Sequence, residues 1–224
     1  MEPTDIIGFL DESRRPIRLA DKDGNIKARR QSLYAVAAAL VQQDQAQPLR
    51  EGIQRIAASI PTPLHYADLT NRRRLAVLEH LMALPGWEAV IVETDTPVRI
   101  RNDRTVRGAV LSAVFRQLHD RHQITRLMIE TRTDPLDPTA RLDHDDVLLA
   151  DILYRRGELQ MAPAITHGTK SEPLLALPDL LVGARTACIC AVDDAFWSIV
   201  AARAHVIQVS PQWADPRNAE APGH

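Results

Sequence analysis

The sequence predicts an α/β domain: a mixed sheet with three antiparallel strands first and parallel crossovers after, flanked by helices. Three observations predict it. A hairpin signal, Asp23-Gly24, lies between the apolar runs IIGFL and YAVAAALV. Beyond residue 48, segments of helical spacing alternate with short β-branched runs, as βαβ crossovers do. And three apolar runs end in carboxylates, at Asp11, Glu93 and Glu130.

The elements follow in order. IIGFLDES, from Ile6, is the first strand, and QSLYAVAAALV is the second. Its alanines also suit a helix, but its place after a turn favours a strand. PLREGIQRIAASI carries Leu49, Ile53, Ile56, Ala57 and Ile60 on one helical face, and PTP stops it. LHYADLT is a loop leading into a second helix that Thr70 or Asn71 starts and Pro85-Gly86 ends. WEAVIVETD is the third strand. The segment from Asn102 to His122 is an amphipathic helix, with Val106, Val110, Ala113, Val114 and Leu118 on one side. ITRLMIETR is a buried strand and TDPLDPT a loop. HDDVLLADILYRRG is a helix with acids first and arginines last, as its dipole prefers. ELQMAPAI reads as a final strand. LPDLLVGARTACICAV is a helix with Pro178 near its first position, and Asp194 caps one more helix reaching about Val206. One domain over residues 1–210 is expected, with a flexible tail at 211–224.

Composition sets limits. The chain has 224 residues, enough for a full core. A net charge of -2 argues against a general polyanion binder. Its lysines are only Lys22, Lys27 and Lys170, so the positive charge is nearly all arginine, which prefers bidentate phosphate or carboxylate contacts. The apolar runs are shorter than the roughly 20 residues of a membrane span. MEPTDII lacks the pattern of a signal peptide, and the two cysteines, Cys188 and Cys190, make no disulfide framework. A cytoplasmic location and no membrane partner are expected. The oligomeric state stays open between monomer and homodimer.

If the strands of Asp11, Glu93 and Glu130 run parallel in one sheet, their carboxylates share one edge, where ligands of open α/β sheets bind. Mg²⁺ and Mn²⁺ want such hard oxygen ligands. A further acid should come from a helix packed across that edge. Asp179 is the candidate, in the first turn of an otherwise apolar helix. Gly183, Ala184 and Ala187 let that helix approach the sheet closely. An acid there also serves simply as a dipole-favoured capping residue.

The segments FLDES, HYADL, MIETR and LLALPDLLVGA, the last preceded by HGTKS, together resemble the bacterial domain-of-unknown-function family 3800. That family is similar to ribonuclease H in fold. The resemblance runs from about residue 5 to 190. It implies a ribonuclease-H-like, Mg²⁺- or Mn²⁺-dependent nuclease acting on RNA or DNA. Asp11, Glu130 and Asp179 would be catalytic metal ligands, with Glu93 or Glu12 completing the shell. Glu130 stands where the family more often has Asp, and Pro178 where it usually has Ala. HYADL places His65 and Asp68 at the same edge, and GTKS places Lys170 and Ser171 just before the closing helix. The alternative is an inactive relative that binds nucleic acid or a protein.

Weaker signals have two readings each. Glu12 points to the opposite face from Asp11, to support it or to meet water. His65 orients a water or is merely exposed, and Lys170 holds a phosphate or is solvated. Arg72, Arg73 and Arg74, and the spaced Arg99, Arg101, Arg104 and Arg107, grip a nucleic-acid backbone or form solvated faces. DHDD, from Asp143, is a metal patch or a helix start. His119 and His122 lack further zinc ligands. Cys188 and Cys190 read as small buried residues.

Overall fold

A computed structural model of the chain describes residues 5–20, 26–60, 64–95, 98–99, 103–134, 137–190 and 193–210. The first two strands, β1 (Ile6–Ala20) and β2 (Ile26–Gln42), form a long antiparallel hairpin that pairs from Ile6 with Gln42 to Ala20 with Ile26. The Asp23-Gly24 turn lies outside the described residues. Helix α1 (Gln43–Ala58), a 3-10 turn (Tyr66–Asp68) and α2 (Asn71–Ala83) lead to β3 (Trp87–Thr94), antiparallel to β2. Gly86, just before β3, has φ +81° and no room for a side chain, because a Cβ would meet Gln45 at 2.8 Å.

A two-residue strand, β4 (Val98–Arg99), adds to β2. Helix α3 (Asp103–His122) then crosses to β5 (Arg126–Glu130), parallel to β1. Next come a small hairpin, β6 (Thr133–Asp134) with β7 (Asp137–Arg141), and helix α4 (Asp143–Arg155). Strand β8 (Ala164–Gly168) pairs in parallel with β5. Helices α5 (Ala176–Ile189) and α6 (Ala195–Val200) follow, and β9 (Ala204–Val209) ends the described chain, parallel to β3. The sheet order is β8-β5-β1-β2-β3-β9. This is the mixed α/β sheet that the sequence predicts.

Strand alternation builds a core on each face. Phe9, Ala35, Ala37, Ala39 and Ile91 pack under α1, α2, α5 and α6. Leu10, Val36, Ala38 and Val92 pack under α3 and α4. The alanines of β2 present a row of methyl groups beneath α5, so the helix lies close to the sheet's centre. Among the described residues no helix is long and apolar enough to cross a membrane.

Several elements differ from expectation. The helix start expected at Pro48 lies five residues earlier, at Gln43. The loop expected over TDPLDPT contains the β6–β7 hairpin. In ELQMAPAI only Ala164 and Ile165 are strand, which runs on to Gly168. The helix expected from Asp194 to about Val206 stops at Val200, and its second half is β9. Six residues of mixed polarity carry too weak a period to decide between states. The open edge of β3 decides it, since its backbone groups need partners.

Candidate functional site

Asp11 lies mid-way along β1 on the α5 face, level with the end of β5, where Leu10 pairs with Ile129. Glu130 is the next residue of β5, so strand alternation sets it beside Asp11 on the same face. Asp179 comes from above, in the first turn of α5. All three are buried. The structure thus brings the three predicted acids within electrostatic reach of Asp11. Burial raises its carboxyl to about 8. Glu130 and Asp179 push it up further, and Arg132 opposes them.

Each acid has protein partners. Arg132 Nη2 donates to Asp11 Oδ1 and, at 2.9 Å, to the carbonyl of Glu12. The Glu12 amide donates to Asp11 Oδ1 at 2.7 Å. Asp179 Oδ2 accepts from the Tyr66 amide at 2.7 Å. Its Oδ1 lies 2.8 Å from His65 Nδ1 in an ion-pair contact, although that nitrogen makes no hydrogen bond of ordinary angle. The contact with Asp179 raises His65, against partial burial and the nearby charge of Lys170. His65 and Lys170 therefore stand beside Asp179, and Lys170 is exposed.

The Tyr66 loop is fitted to α5 at Gly183. A Cβ there would meet Tyr66 Cγ at 2.2 Å. Expected to draw the helix onto the sheet, Gly183 instead makes room for the tyrosine ring. Arg74 holds the ring's other side, 4.4 Å from its centre, and donates to the Tyr66 carbonyl at 3.0 Å. Arg74 is thus a structural part of this loop rather than a solvated residue of the predicted backbone-gripping cluster. Arg72 is exposed and Arg73 half-buried. Further along the same side of β1, Ser13 Oγ lies 3.4 Å from Thr186 of α5.

Glu93 does not join the group. It lies on the α5 face but two strands from β1, and Arg185 binds both its oxygens at 2.7 and 2.6 Å. That pairing replaces the expected role in a metal shell.

Glu12 takes the opposite face, as alternation requires. It accepts from the Tyr34 hydroxyl and from Arg107 Nε, the latter at 2.9 Å. Arg107 also binds both oxygens of Asp146, which lies 3.1 Å from His167 Nε2. Burial works to lower Arg107, but Glu12 and Asp146 outweigh it and keep the guanidinium charged. Arg107 is 6% exposed, so it is no nucleic-acid contact. Arg104 pairs with Asp145 at 2.6 Å. The acids of DHDD thus divide: Asp146 turns inward to Arg107, Asp145 outward to Arg104, and Asp143 accepts from the Arg132 amide at 3.3 Å. They form no metal patch. His119 accepts from the Gln160 amide, and His122 lies 3.4 Å from Glu88. Cys188 and Cys190 are free and half-buried rather than fully buried.

Arg132 is the residue that reading the sequence missed. Its signal was present: it follows Glu130 by two, so strand alternation points it back to the same edge.

No protein-family profile and no curated protein matches the sequence. Solved structures do match in shape. One is RNase HII from Archaeoglobus fulgidus, in its complex with PCNA. The match covers 82% of this chain and 73% of that one, with 10% identity and a TM-score of 0.43. A likeness at that level says nothing about chemistry.

The resemblance in sequence implies Mg²⁺ or Mn²⁺. The donors fit such an ion in kind: three buried carboxylates around one point of a sheet edge, all hard oxygen ligands. The positive charge facing Asp11 is the Arg132 guanidinium. Among the described residues no three His, Cys, Asp or Glu side chains stand close enough together to hold a metal.

Proposed function

We propose that the chain is a divalent-metal-dependent phosphodiesterase acting on nucleic acid, with Asp11, Glu130 and Asp179 as the residues that hold Mg²⁺ or Mn²⁺. One observation carries this reading. Three acids from three separate elements are buried around one point, and their mutual repulsion keeps Asp11 raised to about 8 even with an arginine in contact. Such a group is costly to a fold and serves no packing purpose. Bound there, a divalent ion polarises a phosphoryl oxygen and makes its water more acidic.

The chain's own residues supply the rest. The Tyr66 amide and the dipole of α5 hold Asp179 in place. His65, raised by its contact with Asp179, holds a proton that it can deliver to a leaving oxygen. Lys170 and Arg72, both exposed, are placed to attract a phosphate backbone. The reading agrees with what the resemblance to family 3800 implies.

The contact between Arg132 and Asp11 favours a second reading, an inactive relative that binds nucleic acid. Labelled RNA and DNA oligonucleotides with Mn²⁺ separate the two. Metal-dependent cleavage, lost in Asp11→Asn and Asp179→Asn, is the expected result. Oligonucleotide binding without cleavage, together with no thermal shift at millimolar Mn²⁺, would favour the second.

A further inference from the structure

Two guanidinium groups flank the acidic turn of β1, and they are held very differently. Arg107 is sealed in: its side chain is 7% exposed and it is shared between Glu12 and Asp146, the latter through both oxygens. Arg132 is half open to water, with its side chain 35% exposed. It reaches Asp11 through a single nitrogen, Nη2, which it also shares with the Glu12 carbonyl. Its Nε is buried without a hydrogen bond, 3.5 Å from Glu12 Oε1. A guanidinium has five donors in a fixed fork, and a permanent ion pair uses the fork on a carboxylate. Arg185 does so on Glu93. Arg132 does not.

The charges point the same way. Glu12 is already answered by Arg107, and Glu93 by Arg185. Asp11, Glu130 and Asp179 then share one guanidinium and the imidazole of His65. A single positive charge at Asp11 leaves the group under-neutralised, while a divalent ion offers twice that charge and has no side-chain stem to order.

Arg132 also stands where it can move. It follows β5 by two residues, at the neck of the β6–β7 hairpin, where its carbonyl accepts from the Leu142 amide at 3.0 Å. The backbone is pinned there and the side chain is free to swing about it.

We propose, resting on the metal-binding reading above, that Arg132 is an exchangeable counter-ion of Asp11: its guanidinium and a divalent cation compete for that carboxylate. Arg132 holds Asp11 in place when metal is absent and swings toward solvent when metal binds. The released guanidinium then adds positive charge at the rim of the same edge.

Calorimetric titration with Mn²⁺ tests this on the full chain, comparing wild type, Arg132→Gln and Arg132→Lys. Losing the charge-assisted contact should tighten Mn²⁺ binding by about tenfold or more in Arg132→Gln. Arg132→Lys, which keeps the charge, should fall between. In EDTA the order should reverse, with Arg132→Gln melting below wild type. A merely structural arginine would lower the melting point without tightening the metal. Wild type binding Mn²⁺ with Arg132→Gln no tighter would overturn the exchange and leave the metal site standing. Binding by neither protein would end both. Binding by Arg132→Gln alone would support the exchange in its strongest form. Loss of the tightening in the double variant with Asp11→Asn would place it at this carboxylate.

Discussion

Arg107→Met separates two roles that the sequence leaves open for this arginine. The side chain is 6% exposed and sits between Glu12 and Asp146, which is itself 1% exposed. Methionine fills much of the volume but removes the charge. Asp146 then keeps only His167, at 3.1 Å, and Glu12 keeps the Tyr34 hydroxyl and the distant edge of Arg132. Breaking a buried pair by deleting one partner costs about 3–5 kcal/mol, because the other charge stays behind in low dielectric. In a chain of this size each kcal/mol lowers the melting temperature by roughly 2–4 °C, so a fall of about 6–20 °C is expected. Differential scanning calorimetry with and without Mn²⁺ reads it. Adding Asp146→Leu should recover part of the loss, since the stranded carboxylate goes with it. A melting point within about 2 °C of wild type, combined with weaker oligonucleotide binding, would refute the reasoning and restore Arg107 as a nucleic-acid contact.

Three other perturbations follow from the same geometry. In EDTA, Asp11→Asn should be more stable than wild type at neutral pH. The wild-type carboxyl is raised from 3.8 to about 8, so the stability its neutral form contributes is full below pH 3.8 and is lost as pH rises through about 8. Urea unfolding from pH 4 to 9 should show that slope in wild type and a flatter one in the variant; equal slopes would contradict it. Gly183→Ala places a methyl 2.2 Å from the Tyr66 ring and should cost about 1–3 kcal/mol, read by chemical denaturation. It should also weaken Mn²⁺ binding, because the Tyr66 amide that orients Asp179 moves with the ring. Arg74→Ala should destabilise the chain through the same loop, whereas Arg72→Ala should leave melting unchanged and lower oligonucleotide affinity more at low salt than at high.

Much of the site was legible before any coordinates. Period-two alternation sets Asp11 and Glu12 on opposite faces of β1, and the structure has them there. An acid at the end of a buried strand and another in the first turn of an apolar helix are local patterns, and both residues come together. Glu93 shows the limit of such patterns. Its strand ends like the others, but the spacing of strands across a sheet depends on topology, and it stands two strands away within reach of Arg185. Arg107 shows the same limit in reverse, since a run of spaced arginines gives no sign of which one faces inward.

By itself the sequence determined the succession of elements, the alternation of faces and the placement of acids at strand ends, because these depend on neighbours within a few residues. Only the tertiary structure decided which counter-charge answers each acid: Arg107 for Glu12, Arg185 for Glu93, Arg132 for Asp11. It also decided that the last segment is a strand rather than a helix. Those partners lie some 90 to 120 residues apart in the chain. A charge pair at such separation is set by the packing of whole elements, and no local period records it.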